Sequence, residues 1–397
     1  MTKMLHIGII GPCNPSEFQV FLGIDNLPNI NAAASSVNTF AKECLLQGYK
    51  ISIFSLYEGC KNVLEYHSDS LNIYLIPRRF RIRKLSFFSP LYAGQRLYNV
   101  IKTHKDSIDI FHAQWTYEYA WAAQKFEPEK PVFCTVRDWC PFILSCQKGI
   151  SAKIFWLMKY LIFKRVMRRT STHFIANSIY TYNCIISAYP DKQINIVSNP
   201  IQKEYFLNGN KLDSRYTFIS ICQDLNEGRK NILTLLRAFA KYKEKNTDSS
   251  LCLIGRYQKN NEIIKSAVKE GLLKGVFLAG AQKHHEVFEY LDQSYCLVHP
   301  SKEETFGNIL LEAAARKTLC IGGQNSGAVP QVLGNGEFGL LCDVNDVNDL
   351  YHSMLESQDK EKYNTLVKKA YNYVKENYSS DVIVKNTIKI YSQYLPQ

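Results

Sequence analysis

Two glutamates in the carboxyl-terminal third of the chain, Glu304 and Glu312, have surroundings that indicate a binding role. Glu312 lies inside an apolar run of Ile, Leu and Ala that predicts a helix, where a carboxylate is costly to bury unless hydrogen-bond donors meet it. A diol supplies two such donors. The alternative interpretation is that Glu312 faces solvent on an amphipathic helix.

The start of the same predicted helix, at Gly307 and Asn308, is suited to an anion. The first backbone N–H groups of a helix have no partner within it and lie at its positive dipole end, which favours a diphosphate. Gly307 has no Cβ atom, so a ligand can approach the backbone closely. We therefore expect a phosphate-containing ligand at this position.

The composition is that of a globular protein with more than one core. The chain has 397 residues, of which 46% are apolar and 21% charged, and this length suits two domains. We find no secretory signal and no run of roughly 18 apolar residues that could span a membrane, so we expect a cytoplasmic protein. Most of the 12 cysteines lie singly in apolar runs, and their spacing does not match a zinc site.

Strand-like and helix-like runs alternate along the chain, which predicts α/β domains with mainly parallel sheets and helices on both faces. The predicted strands are 5–10, 49–56, 71–76, 108–112, 132–136 and 173–176, then 217–222, 251–254, 276–278, 295–299, 319–322 and 339–342. A polar stretch near 208–211 predicts a boundary between domains 1–208 and 209–378. We expect residues 379–397 to form a helix that packs back on the first domain. Ligands of such sheets bind outside the carboxyl ends of the strands.

A series of short motifs in the second half resembles the retaining GT-B glycosyltransferases of family 4, which transfer a sugar from a nucleotide-sugar donor. The matches stand in the family's order between about residues 217 and 343: Leu253-Ile254-Gly255, Val276-Phe277-Leu278, His299-Pro300-Ser301, Glu304 followed by Phe306-Gly307, Glu312-Ala313, Gly327, Pro330 and Phe338-Gly339-Leu340-Leu341. The resemblance implies two doubly wound Rossmann-like domains facing a cleft.

The resemblance also implies roles for individual residues. Glu304 would accept hydrogen bonds from the donor sugar and Glu312 from the ribose. The nucleotide diphosphate would be held by residues of three loops: Arg229, Lys230, Gly255, Thr305, Phe306, Gly307 and Asn308. No metal, other cofactor or protein nucleophile is expected, because the leaving diphosphate assists the acceptor in such enzymes.

The chain departs from the family pattern at several positions. Asp224 stands where the family has an arginine, and Arg229 could take over that role beside Lys230. In the first half, His112 matches one of two family histidines, and Gln114 stands at the other. Asp138 matches an acceptor-orienting aspartate, preceded by Arg137 instead of histidine. His112 could equally be a structural histidine at a strand end, and Asp138 could brace a loop.

The positive charge is concentrated in the first half of the chain. Residues 1–210 contain 24 Lys and Arg against 14 Asp and Glu, whereas residues 211–397 contain 24 against 22. Segments 78–88 and 150–169 combine cations with aromatic residues, which predicts contact with an anionic membrane surface. The alternative for 150–169 is a domain helix with its apolar face buried. Without a recognition motif, we do not expect nucleic-acid binding.

These observations predict a retaining transferase that uses a nucleotide diphosphate sugar and acts on a sugar or lipid-linked glycan in cell-surface polysaccharide assembly. We expect it in the cytoplasm, at the inner face of the membrane. One alternative is a nucleotide-sugar epimerase or hydrolase on the same fold. Another is a non-catalytic protein that binds a nucleotide sugar or a membrane surface. The sequence identifies neither the base, the sugar nor the linkage.

Overall fold

The computed structural model describes residues 4–30, 34–78, 89–147, 149–208, 211, 214–258 and 260–395. The chain forms two compact units, one of Met1–Pro200 with Ser380–Gln397 and one of Ile201–Ser379. We call them the N-unit and the C-unit. The first boundary, between Pro200 and Ile201, lies eight residues before the predicted one at 208/209, and the second, between Ser379 and Ser380, lies one residue after the predicted one at 378/379.

The N-unit is built on an eight-stranded sheet in the order β3-β4-β2-β1-β5-β6-β7-β8, parallel except for β3, which pairs antiparallel with β4. Its strands are β1 (His6–Ile10), β2 (Lys50–Tyr57), β3 (Leu64–His67), β4 (Leu71–Pro77), β5 (Ile110–Gln114), β6 (Val132–Val136), β7 (His173–Ala176) and β8 (Ile194–Ile196). Its helices are α1 (Gln19–Leu22), α2 (Ser35–Leu46), α3 (Ser89–His104), α4 (Glu118–Ala123), α5 (Cys140–Ser145), α6 (Ile150–Met167), α7 (Ile179–Ala188) and α15 (Ser380–Tyr391).

The C-unit is built on a six-stranded parallel sheet in the order β11-β10-β9-β12-β13-β14. Its strands are β9 (Tyr216–Asp224), β10 (Leu251–Arg256), β11 (Val276–Gly280), β12 (Ser294–His299), β13 (Leu319–Gly323) and β14 (Leu340–Cys342). Its helices are α8 (Ile232–Lys245), α9 (Glu262–Lys269), α10 (His284–Asp292), α11 (Asn308–Ala315), α12 (Val329–Val332), α13 (Val347–Glu356) and α14 (Lys360–Tyr378).

Both sheets have the strand order of a doubly wound fold, so the predicted fold class is confirmed. Two apolar layers cover each sheet, because parallel strands are buried on both faces. All twelve predicted strands are present, and the bounds of these twelve lie within about three residues of the predicted ones. The sequence interpretation missed the short strands β3 and β8. It also missed the helices α3, α7 and α13 and the short helices α1, α5 and α12. The α7 segment (IYTYNCIISA) is rich in β-branched and aromatic residues, which favour strands.

The carboxyl-terminal helix α15 belongs to the N-unit. The Ser380 hydroxyl donates to the buried Glu43 carboxylate of α2 at 2.5 Å, and Tyr391 is fully buried in the core around Ile9 and Phe133. The last helix of the chain therefore completes the core of the first unit.

The helix α6 turns its aromatic side inward, as in the alternative of a domain helix with its apolar face buried. Phe163 is buried, and Trp156 and Tyr160 pack against the core of the N-unit. Lys159 is buried too, with its Nζ 3.4 Å from Glu118 Oε2. Of the other basic segment, 78–88, only Arg78 is among the described residues. In the part of the chain that the structure describes, no helix is both long enough and apolar enough to cross a membrane.

Candidate active site

The main cluster of functional side chains lies at the carboxyl ends of β9 and β12 in the C-unit. These two strands are neighbours in the sheet. From β9 the chain continues to β10 on one side, whereas from β12 it continues to β13 on the other, so the strand order reverses between β9 and β12. Ligands of doubly wound sheets bind in the crevice at such a point. The loop after β9 carries Arg229 and Lys230, and the loop after β12 carries Glu304. A backbone hydrogen bond from Lys302 N to Arg229 O, at 2.9 Å, joins the two loops.

The Glu304 carboxylate is held by Lys230 from the loop after β9 and by His299 at the end of β12. Lys230 Nζ donates to Glu304 Oε1 at 2.5 Å, and His299 Nε2 lies 3.1 Å from the same oxygen. Because an ionised carboxylate only accepts, His299 Nε2 must carry the proton. Burial alone would raise the pKa of Glu304, but Lys230, His299 and Arg229 together hold that pKa well below its usual range. Glu304 is therefore a charged acceptor at neutral pH.

The backbone of Glu304 is fixed by Gly327, from the loop between β13 and α12. Ala328 N donates to Glu304 O at 2.8 Å, beside a bridge between Glu304 and Gly327. Gly327 has a φ of +65°, and a Cβ atom there would lie 2.3 Å from Glu304 O. The family-like glycine at this position is thus required for the backbone approach that positions Glu304.

Arg229 is engaged by carboxylates on two sides. Its Nε donates to Glu227 at 2.9 Å, and its Nη1 donates to the Glu303 carbonyl at 2.7 Å and lies 3.3 Å from the Glu303 carboxylate. Asp224, at the family's arginine position, accepts from the backbone and side chain of Asn226 and so shapes the loop. Two cations thus face three carboxylates here, and a diphosphate would have to compete with them.

The helix α11 begins beside this cluster. Gly307 is its N-cap residue, with a φ of +88° that favours glycine. Thr305 lies in the loop before it, and Asn308 is the first residue of the helix. A Cβ atom at Gly307 would lie 3.9 Å from Glu304 Cβ, so the helix begins beside Glu304. Phosphate binding by the N–H groups of its first turn stays a prediction. The side chain of Phe306 is only 2% exposed, so only its backbone could contact a ligand. Gly255 lies in β10, packed against the Cys222 carbonyl of β9.

The Glu312 side chain is buried rather than directed to solvent, which excludes the solvent-facing alternative. His284 Nε2, from the start of α10, lies 3.1 Å from Glu312 Oε1. The His284 ring in turn packs edge-on against Tyr205 and Phe288. A histidine therefore already meets the carboxylate that we expected a ribose to meet. The sequence interpretation missed His284, since it lies 28 residues from Glu312 and follows no motif.

In the N-unit, His112 is buried in the middle of β5 with both ring nitrogens occupied. Nε2 lies 2.7 Å from the Thr135 hydroxyl, while the Tyr391 hydroxyl and the Gln114 amide lie 2.5 and 3.2 Å from Nδ1. Burial, followed by the charge of Arg137, lowers the pKa of His112 to about 3. This is the geometry of the structural alternative, and a catalytic role would require these partners to be released.

The two N-unit departures from the family pattern are in contact with each other. Arg137 donates through Nε and Nη2 to Gln114 Oε1, at 2.9 and 2.5 Å, and through Nη1 to Ser36 and Asn199. Asp138 instead accepts from the Tyr117 hydroxyl at 2.9 Å. Burial raises the pKa of Asp138 to about 6. Gln114 and Arg137, which stand at two histidine positions of the family pattern, are thus hydrogen-bonded to each other.

Among the described residues, no group of three His, Cys, Asp or Glu is placed to hold a metal ion. The C-unit cluster places Arg229, Lys230 and Glu304 beside the start of α11, and the buried carboxylate of Glu312 lies further along that helix. This arrangement can bind a phosphate group and, next to it, hydroxyl groups.

Two family models together match nearly the whole chain. Residues 33–205 match the family described as Glycosyltransferase Family 4, and residues 205–373 match the one described as Glycosyl transferases group 1. The chain belongs to the family 4 glycosyltransferases. The predicted family is confirmed, and the two matched regions meet near the boundary between the N-unit and the C-unit.

Individual relatives of this glycosyltransferase are distant. It is 29% identical over 167 residues to the N-acetyl-alpha-D-glucosaminyl L-malate synthase of Bacillus anthracis, covering 42% of the chain and 43% of that relative. It is 25% identical over 154 residues to the N-acetylgalactosamine-N,N'-diacetylbacillosaminyl-diphospho-undecaprenol 4-alpha-N-acetylgalactosaminyltransferase of Campylobacter jejuni, covering 39% and 40%. The matched regions thus span less than half the length of these curated relatives.

Structural similarity covers more of the chain than these sequence matches do. The structure of Anabaena Alr3699/HepE in complex with UDP-glucose superposes with a TM-score of 0.70 over 98% of this chain and all of that chain, at 13% identity. At that identity the match supports the GT-B fold alone.

Proposed function

We propose that this chain is a retaining glycosyltransferase that moves a sugar from a nucleotide diphosphate sugar to a sugar or lipid-linked glycan in cell-surface polysaccharide biosynthesis. The observation that carries the proposal is the junction of Lys230, His299 and Glu304 at the switch point of the C-unit sheet, beside the start of α11. The name of the Campylobacter relative, a transferase acting on a diphospho-undecaprenol glycan, supports the acceptor class.

In the proposed mechanism the diphosphate accepts hydrogen bonds from the first turn of α11 and from Lys230, with Arg229 contributing charge. These groups stabilise the negative charge that develops as the sugar–phosphate bond breaks, and this stabilisation is a main source of rate enhancement. Glu304 holds the hydroxyls of the donor sugar, and Glu312 those of the ribose. The protein supplies position and charge, and no metal is needed for either role.

The Lys230–Glu304 contact has a consequence for donor binding. The Lys230 ammonium donates to the Glu304 carboxylate. An incoming diphosphate takes over the ammonium, and the carboxylate is then available to the sugar hydroxyls. His299, which contacts the same carboxylate oxygen, keeps Glu304 in place while Lys230 changes its partner. Binding of the donor diphosphate thereby frees the Glu304 carboxylate to accept hydrogen bonds from the sugar hydroxyls.

Calorimetric titration with UDP, GDP and ADP, repeated on Glu312→Gln, tests the donor site. We expect one of the three to bind, and the substitution to weaken it. Incubation of the matching nucleotide sugars with lipid-linked glycan acceptors then tests transfer. Release of free sugar without a glycosidic product would identify a hydrolase, and conversion of the donor to an isomer would identify an epimerase. If none of the three nucleotides binds, the donor site is wrong.

A further inference from the structure

The outward side of α6 carries four exposed aliphatic side chains. Ile150, Ile154, Leu157 and Leu161 are exposed to 79%, 45%, 47% and 52%. Their spacing of four, three and four residues places them in one row along the helix. Single exposed apolar residues need no explanation, but a continuous row is typical of an interaction surface. We call these four residues the α6 stripe.

The rotation of α6 is fixed by contacts on its opposite side, so the stripe cannot turn inward. Ile162, Phe163 and Val166 are buried in the core of the N-unit. Lys159 Nζ lies 3.4 Å from the buried Glu118 carboxylate and 4.3 Å from the centre of the Tyr117 ring. Turning the stripe inward would expose this cation, its carboxylate and the three apolar side chains.

Charge determines which partner fits the stripe. Exposed Arg165 and Arg168 continue the same row, exposed Lys153 and Arg169 flank it, and no Asp or Glu occurs between Asp138 and Asp191. A second copy of the chain would bring the same cations against these, and a nucleic acid would leave the aliphatic side chains without a partner. An anionic lipid bilayer offers both headgroup phosphates and an apolar layer.

We propose that α6 docks this glycosyltransferase on an anionic membrane surface, with the α6 stripe entering the acyl boundary and the arginines contacting lipid phosphates. The helix begins after β6 and α5, at the edge of the sheet where the parallel strands have their carboxyl ends and where Asp138 lies. A bilayer on the stripe would therefore lie beside that edge. Insofar as it concerns a lipid-linked acceptor, the inference rests on the proposed function.

Sedimentation of the full chain with vesicles tests the proposal. We expect binding to vesicles of phosphatidylcholine with phosphatidylglycerol, and little binding to phosphatidylcholine alone. The combined substitutions Ile154→Ser, Leu157→Ser and Leu161→Ser should weaken binding by about a hundredfold, as should Arg165→Ser, Arg168→Ser and Arg169→Ser. Unchanged binding of either variant overturns the proposal, as does equal binding of the wild-type protein to both vesicle types.

Two controls separate the stripe from general effects. Lys360→Ser, Lys368→Ser and Lys369→Ser remove the same charge from α14, where all three lysines are exposed and no aliphatic row accompanies them. This variant should keep its vesicle binding, and an equal loss would contradict a specific surface. Because the stripe is exposed, its variant should fold, which an unchanged melting temperature would show.

The outcome is independent of the donor site. If the protein binds a nucleoside diphosphate but no vesicle, the docking inference fails and the proposed function stands. If it binds anionic vesicles through the stripe but none of the three nucleotides, the proposed function fails and the docking surface stands. A wild-type dimer that dissociates in the stripe variant, without vesicle binding, would assign the stripe to a second copy and overturn the proposal.

Discussion

The substitution Glu304→Gln should strengthen binding of a nucleoside diphosphate while abolishing sugar transfer. In the free protein Lys230 donates to Glu304 at 2.5 Å, and a charge-assisted hydrogen bond of this kind contributes about 1.5–3 kcal/mol. A diphosphate must compete with that carboxylate for the ammonium. The neutral amide is a weaker acceptor, worth about 1 kcal/mol, so the ammonium is released more easily in the variant.

The repulsion between the carboxylate and the diphosphate acts in the same direction. Two like charges about 8 Å apart at an effective dielectric constant near 20 repel by about 2 kcal/mol. Existing partners of Glu304 reduce this, and we expect a total gain of about 1.4–2.8 kcal/mol, a tenfold to hundredfold higher affinity. Because the pKa of Glu304 is held well below its usual range, the difference between wild-type and variant should persist from neutral to mildly acidic pH.

Calorimetry with the nucleoside diphosphate and with the nucleoside alone measures this effect. Only the diphosphate should gain affinity, and turnover should fall because the variant no longer offers a charged acceptor to the sugar hydroxyls. Glu356→Gln is a matched control, because it breaks an exposed pair with Lys362 in the same unit and should leave the affinity unchanged. Equal or weaker diphosphate binding by Glu304→Gln would refute the competition between Glu304 and phosphate for Lys230.

Three further substitutions test the other groups of the two units. Lys230→Ala should weaken nucleoside diphosphate binding by about tenfold to a hundredfold, because a charged contact contributes about 1.5–3 kcal/mol. The affinity for the nucleoside should not change. An equal loss of affinity for both ligands would show that Lys230 does not hold phosphate. His284→Phe should weaken the binding of nucleoside and nucleoside diphosphate alike, by about tenfold, because His284 Nε2 lies 3.1 Å from the Glu312 carboxylate and orients it. His284→Asn keeps a donor and should lose less affinity. Equal affinities of the two variants would count against an orienting role. His112 has a pKa of about 3 in the folded chain against 6.5 unfolded, so its contribution is complete above pH 6.5 and falls by about 1.4 kcal/mol per pH unit as the pH drops toward 3. Urea unfolding of wild-type and His112→Gln across this window should therefore show a shallower acid dependence for the variant, and parallel profiles would mean that His112 protonates freely in the fold.

The sequence alone determined the positions of twelve strands and their order along the chain. Parallel strands buried on both faces read as short apolar runs, so their positions follow from local pattern. The motif from Glu304 to Glu312 likewise lies within a single strand–loop–helix segment, and the whole series of motifs between about residues 217 and 343 carried the family resemblance. Local pattern was insufficient for α7, because its β-branched and aromatic residues favour strands and only packing in the folded unit makes the segment helical.

Tertiary structure decided which side chains meet. Lys230 and Glu304 are 74 residues apart and come together because β9 and β12 are neighbours in the sheet, an adjacency that no local window contains. The contact between His284 and Glu312 joins two separate helices in the same way. For α6 helical spacing in the sequence places the aromatic residues on one side and most of the cations on the other, but periodicity could not tell whether the aromatic side meets a protein core or a membrane. Burial of the larger aromatic surface, together with the Lys159–Glu118 pair, fixed the rotation and left the aliphatic stripe outside.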